Sequence, residues 1–247
     1  MSLNQMNEQF NDAFETYFPR HRSPFKRFLY RAMSKALSVG FKLRTLLLSG
    51  RLLVNERIVE YPQIFRWIKP EGVVLDIGCV ESRLPIQLAS LGYKVHGIDV
   101  RPYPFKHPNF QFHMVDIFEW SPGQSFDVII LVSTLDHFGL GVFGDLKVEN
   151  ADKNAVERIS NWLSEDGQLL VTLPFGKPEV TWLHRISDLN RLRYLFSDFE
   201  WVEQKYFKRV NESWIPCSAE ELEEVASPEL PGNGVALLNL RRIKGGL

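Results

Sequence analysis

The sequence predicts an α/β protein: a mostly parallel sheet with helices on both faces and a helical N-terminal arm. Three observations carry this. From Gly72 onward, short β-branched runs alternate with amphipathic segments, the pattern of repeated strand–helix–strand units. The clearest runs, "VVLDI" and "FDVIILV", are continuously apolar, as strands covered on both faces are. Residues 1–69 lack such runs and repeat apolar residues at helical spacing instead.

Taken in order, the arm places Phe28, Leu29, Ala32, Met33, Ala36, Leu37, Phe41 and Leu43 at roughly helical intervals, with Gly40 and Gly50 as interruptions. "YPQIFRWIK" reads as one more helix before the first strand, so the domain boundary is expected at 69/70. "GVVLDIG" is the first strand, and "PIQLASLG" a helix with Gly92 after its end. "YKVHGIDV", "FQFHMVDI" and "FDVIILVS" are the next three strands. "KNAVERISNWLSEDG" is a helix expected to end near Gly167, followed by the strand "QLLVTLPF". Residues 183–197 read as helix, and "FEWVEQKYFKRV" and "GVALLNLRRI" as closing strands, with a short acidic helix near Ser218–Val225 between them. That last pair is expected to form an antiparallel edge hairpin.

Composition narrows the class. The chain has 247 residues, 45% hydrophobic and 24% charged, as in an ordinary globular protein. Two cysteines, Cys79 and Cys217, imply no disulfide framework. The first 25 residues are polar and carry no signal-peptide core, and no apolar run is long enough to span a bilayer, so a cytoplasmic protein is expected. The net charge of −1 hides an asymmetry. Between Thr16 and Asn55 there are nine Lys or Arg and no Asp or Glu, leaving −10 on the rest. Three readings of this basic arm stay open: a lid on an anionic small molecule, a membrane-surface contact through residues 20–54, or a solvated helical face. No nucleic-acid-binding module is recognisable, and none is expected on an acidic body.

In open α/β sheets ligands bind beyond the carboxyl ends of the strands. Those ends carry Asp76 and Gly78, then Asp99, then Asp116, then Ser133, Asp136 and His137, then Pro174, Phe175 and Gly176. Asp99, 23 positions after Asp76, suits hydrogen bonding to ribose hydroxyls; as a turn former before "RPYP" it would be structural only. Asp116 orients an adenine amino group or caps a turn. A dinucleotide fingerprint needs G-x-G-x-x-G, and only Gly78 is present, in "LDIGCVESRLP". A carboxylate at Asp76 would repel a pyrophosphate, whereas S-adenosylmethionine has no phosphate and carries a sulfonium and an ammonium.

The segments "VVLDIGC", "VHGIDV", "VD", "FDVIILVSTLDH" and "GQLLVTLP" together resemble the class I S-adenosylmethionine-dependent methyltransferases, over about residues 60–245. "STLDHFGLGVFGD" also resembles an uncharacterised methyltransferase-like family linked to cell-surface sugar biosynthesis. The resemblance implies a Rossmann-like, seven-stranded sheet with an antiparallel last strand, and S-adenosylmethionine as cofactor. It implies that Asp76 and Gly78 shape the methionine end of the site, that Asp99 holds the ribose, that Asp116 and Ile117 meet the adenine, and that Ser133 to His137 line the transfer centre. The implied reaction is methyl transfer to a small molecule, such as a sugar or surface-polysaccharide precursor. A non-catalytic binding protein and a nicotinamide-dependent enzyme are the alternatives.

The family usually has glycine where Val80 and Ser82 stand, and a β-branched Val80 resists positive φ. The loop is therefore expected to be rebuilt, with Glu81 or a backbone carbonyl receiving the cofactor ammonium and Ser82 capping the next helix or binding the carboxylate; the alternative is a narrowed pocket that binds the cofactor poorly. Pro85 suits that helix's first turn. His137 is the candidate general base, with Asp136 orienting it; packing under the cofactor is the structural alternative. "GLGVFGD", Gly139–Asp145, has no lysine and no phosphate motif and is expected to gate the substrate. No metal is expected: Asp136, Asp145 and Glu149 lack a diagnostic spacing, and there is no Cys/His pattern.

Overall fold

The computed structural model describes residues 55–143, 147–224 and 233–243. The basic arm, with its proposed membrane contact over residues 20–54, and Asp145 lie outside them. Among the described residues no helix is long and apolar enough to cross a membrane.

The chain enters through helix α1 (Arg57–Trp67) and strand β1 (Val73–Ile77), then α2 (Leu84–Ser90), β2 (Lys94–Asp99), β3 (Phe110–Met114) and β4 (Phe126–Val132). A 3-10 turn (Leu135–His137) leads towards α3 (Ala151–Trp162), β5 (Leu163–Pro174) and a small hairpin of β6 (Glu179–Val180) and β7 (Arg185–Ile186). Then come α4 (Leu189–Leu195), β8 (Phe199–Val210), β9 (Ser213–Cys217), α5 (Ala219–Glu224) and β10 (Gly234–Arg242).

The main sheet has eight strands in the order β3-β2-β1-β4-β5-β10-β8-β9. The first five are parallel, and β10 runs antiparallel to both of its neighbours. Two expectations change here. The sheet has eight strands rather than seven, because β9 hairpins back on β8. And β10 is an inner strand between β5 and β8, not half of an edge hairpin. Its seven residues from Gly234 to Leu240 are all buried, as befits a strand covered on both faces.

Alternation along the strands divides the core in two. Val128, Ile130 and Val132 of β4 join Val74, Leu84, Leu88 and Leu237 on the α1/α2 face. Ile129 and Leu131 join Ala155, Ile159, Leu192 and Leu222 on the α3/α4/α5 face, as does Phe126, which lies across a register shift from Val128. Period-two side-chain direction produces this from a single apolar run.

Helix α1 is part of this packing, with Ile64 and Trp67 in the core on its face of the sheet. Its buried residues Glu60, Gln63, Ile64 and Trp67 follow i, i+3, i+4, i+7 spacing. Trp67 Nε1 donates to Glu203 Oε2 at 2.7 Å, and Gln168 Nε2 donates to the Trp67 carbonyl at 2.9 Å. Two helix boundaries also shift. α3 stops at Trp162; Leu163 pairs with Phe126, and the four positions 164–167 are absorbed in a register shift between β4 and β5. α4 starts only at Leu189, because Asp188 Oδ1 accepts the Arg191 N–H at 2.7 Å and caps it.

Candidate functional site

The order of strands reverses between β1 and β4, and there a cavity of about 410 Å³ opens beyond their carboxyl ends. Of the residues expected from the sequence, Gly78, Glu81, Ser82, Asp99, Asp116, Ile117, Ser133 and His137 line it. Asp76 and Asp136 do not; both are buried behind the wall.

The loop after β1 explains its own missing glycines. Only Gly78 needs positive φ, at 74°, and a Cβ there would lie 2.2 Å from Thr134 Cγ2. The loop after β4 therefore packs directly against Gly78. Val80 avoids positive φ, and its N–H donates to Asp99 Oδ2 at 3.0 Å. The Ser82 N–H closes a turn on the Cys79 carbonyl, and Ser82 Oγ accepts the Leu84 N–H at 3.0 Å, a local bond leading into α2, whose first turn holds Pro85. Tyr61 hydrogen-bonds Ser82 Oγ at 2.8 Å, and Tyr103 donates to its carbonyl at 2.9 Å. Side chains from α1 and the β2–β3 loop thus replace conformational freedom as the source of the loop's shape.

Asp99 sits at the hub of the next loop. Its Oδ1 accepts from Arg101 N–H at 3.0 Å and Arg101 Nε at 3.3 Å. The same guanidinium donates to Glu81 Oε1 at 2.6 Å and rests 4.5 Å from the centroid of Phe143. Glu81 is therefore turned to Arg101 along the rim. Asp116 Oδ1 accepts the Phe118 N–H at 2.8 Å, a turn-capping bond, with Ile117 packed beside it in the wall.

Asp76, 1% exposed, has one carboxylate oxygen with no partner. Burial pushes its pKa to about 8 and Asp99 adds to the rise, while Arg57 opposes it. Below that pH it is a neutral acid beneath Gly78.

At the end of β4, Ser133 has φ 44°, uncommon for a residue with a Cβ. Its N–H donates to the Thr172 carbonyl at 3.0 Å, and its hydroxyl donates to Glu60 Oε1 at 2.8 Å. Thr172 Oγ1 donates to the same oxygen at 2.6 Å, and Arg57 pairs with Glu60 Oε2. Fully buried Glu60 thus ties α1 to the ends of β4 and β5 with every oxygen partnered. His137 Nδ1–H donates to the Leu183 carbonyl at 2.6 Å, and its Nε2 lies 3.5 Å from Asp136 Oδ2. Burial raises the Asp136 pKa to about 6, against the pull of His137. Among the described residues no cluster of three His, Cys, Asp or Glu is placed to hold a metal.

Sequence reading missed Arg57, Glu60, Arg101 and Thr172. Only Glu60 left a signal, as a carboxylate on the apolar stripe of a helix. Arg101 and Thr172 acquire meaning from Glu81 and Glu60, 20 and 112 positions away, and Arg57 from Glu60, three positions on.

A parallel sheet with an antiparallel inner strand beyond β5, and a cavity at the β1/β4 reversal, define the fold of the class I S-adenosylmethionine-dependent methyltransferases. Solved structures bear this out. The chain is similar to the N-methyltransferase NodS of Bradyrhizobium japonicum WM9, crystallised with S-adenosyl-L-homocysteine: TM-score 0.53, 15% identity, 76% of this chain and 88% of that one. It is also similar to a 1,6-didemethyltoxoflavin-N1-methyltransferase of Burkholderia thailandensis (0.50, 16%, 89% and 90%) and a methyltransferase of Methanosarcina mazei (0.53, 14%, 74% and 98%). At such identities the likeness is one of fold. Residues 111–233 match a family described as Caenorhabditis protein of unknown function, DUF268. No curated protein matches the sequence.

Proposed function

We propose that the chain binds S-adenosylmethionine in this cavity and transfers its methyl group to a small-molecule acceptor. The observation that carries the reading is the row of side chains along the cavity, from Asp116 and Ile117 past Asp99 to Gly78, Ser133 and His137, on a methyltransferase fold. The residues fit the group. Val100 and Ile117 offer apolar walls to a flat base, and Asp99, with three donors on it, retains acceptor capacity for one ribose hydroxyl. Arg57, paired with Glu60, lines the same cavity as Ser133 and offers its remaining guanidinium donors to a carboxylate. A dinucleotide would instead need a glycine-rich phosphate cradle, and β10 runs antiparallel where a nicotinamide-binding sheet continues parallel.

S-adenosylmethionine supplies an electrophilic methyl group whose bond pair stays on sulfur when the acceptor takes it. The chain's task is to position the acceptor and take its proton. His137 performs the second at Nε2, with Leu183 fixing its tautomer and Asp136 stabilising the charge it gains. The acceptor class we propose is an anionic sugar or surface-polysaccharide precursor, on the strength of the "STLDHFGLGVFGD" segment.

A thermal-shift comparison tests cofactor binding. S-adenosylhomocysteine at 100 times its Kd stabilises the fold by about 2.7 kcal/mol, and NAD leaves it unchanged. The reverse result, or no response to millimolar S-adenosylhomocysteine, would sink the proposal. His137→Ala separates binding from turnover: affinity for S-adenosylhomocysteine stays within about threefold while methyl transfer to a responding acceptor falls roughly 10²–10⁴-fold. Equal loss of both assigns His137 to the cofactor pocket instead.

A further inference from the structure

We propose that Arg101 is an internal competitor for Asp99: its guanidinium occupies the place of a ligand hydroxyl and sets the affinity and on-rate for the nucleoside. The inference rests on the nucleoside reading of the cavity given above. Asp99 Oδ2 spends one lone pair on the Val80 N–H, and Oδ1 is filled by two donors of Arg101. A carboxylate has about four acceptor positions, so two ribose hydroxyls cannot bind until one donor leaves. The backbone N–H is fixed by the chain. Arg101 Nε, at 3.3 Å the longest of the three contacts, is the one free to go.

Glu81 makes that departure inexpensive. It lies 2.6 Å from Arg101 Nη1 with its side chain 69% exposed, so the guanidinium keeps a carboxylate partner when it lets go of Asp99. The Phe143 ring, 4.5 Å from the guanidinium carbon, gives it a second resting surface outside Asp99. Glu81 acts on the ligand only through Arg101, at the rim, rather than by receiving an ammonium group. The two residues therefore have opposite effects: Arg101 opposes the nucleoside, and Glu81 favours it by drawing Arg101 away.

Calorimetry and stopped-flow binding on the full chain, with adenosine and S-adenosylhomocysteine as probes, test this through a double-mutant cycle. Both side chains are at the surface, and melting temperatures confirm folding. Arg101→Leu is expected to tighten both probes about three- to tenfold and to speed association. Glu81→Gln is expected to weaken both about two- to fivefold, the range for an exposed ion pair. In Arg101→Leu/Glu81→Gln the second substitution has no further effect, because its target is gone. Weaker binding in Arg101→Leu overturns the proposal. So does a Glu81→Gln effect that persists without Arg101 or is confined to S-adenosylhomocysteine, since that marks Glu81 as a direct contact to the amino-acid end. If the unmodified protein binds neither probe, the nucleoside reading itself fails, which is distinct from a cycle with the wrong signs.

Discussion

Asp99→Ala is expected to abolish S-adenosylhomocysteine binding, with a loss of more than about 100-fold. A hydrogen bond to a charged acceptor is worth roughly 1.5–3 kcal/mol, and two ribose hydroxyls would lose theirs together. A second cost falls on the loops. The Val80 N–H loses its acceptor and Arg101 loses its anchor, so the turn Cys79–Ser82 is no longer tied to β2. Asp99→Asn separates the two contributions: it keeps one carbonyl acceptor for the loop and binds with intermediate affinity. The measurement is calorimetric Kd alongside thermal melting. An Asp99→Ala protein that melts like the parent and binds with the parent's Kd removes Asp99 from the site.

Asp76→Asn is expected to stabilise the fold at alkaline pH and to flatten its pH dependence. The sign follows from the raised pKa. In the unfolded chain the carboxyl ionises near its ordinary value of 3.8, while in the fold it holds its proton up to about pH 8. Between these values the folded state binds more protons than the unfolded one, so stability falls as pH rises. Asp136, raised to about 6, contributes in the same direction over the lower part of the window. At 1.36 kcal/mol per pH unit the ceiling for Asp76 is about 6 kcal/mol, and a gain of a few kcal/mol at pH 8.5 is the expected result. Near pH 4 the variant and the parent should be close to equal, since both then carry a neutral group. Urea titrations at intervals from pH 4 to 9 give the two curves. Parallel curves between pH 6 and 8 would show that Asp76 ionises normally in the fold.

The same residue shows why a motif and its chemistry come apart. In "LDIGCVESRLP", Asp76 and Gly78 are legible as strand-end residues because a β-branched run stops there. The charge state of Asp76 is not legible, because it depends on burial by residues distant in sequence and on Arg57. Val80 and Ser82 looked like obstacles to a cofactor turn. They are accommodated by Asp99, Tyr61 and Tyr103, none of which lies within the loop. Glu81 and Ser82 both line the cavity; Glu81 pairs with Arg101, and Ser82 Oγ accepts the Leu84 N–H just before α2.

Local pattern was sufficient for the class of fold. Strands, intervening helices and the residues at strand ends all follow from periodicity over five to twelve positions, since side-chain direction repeats every two residues in a strand and every 3.6 in a helix. The tertiary structure decided what depends on partners: that β10 lies inside the sheet, that β9 adds an eighth strand, and that α1 packs on the core through Ile64 and Trp67. It also decided that one guanidinium, Arg101, joins the ends of β1 and β2. Such placements depend on which buried faces and charges meet across the fold, and that pairing energy is carried by no single stretch of the chain.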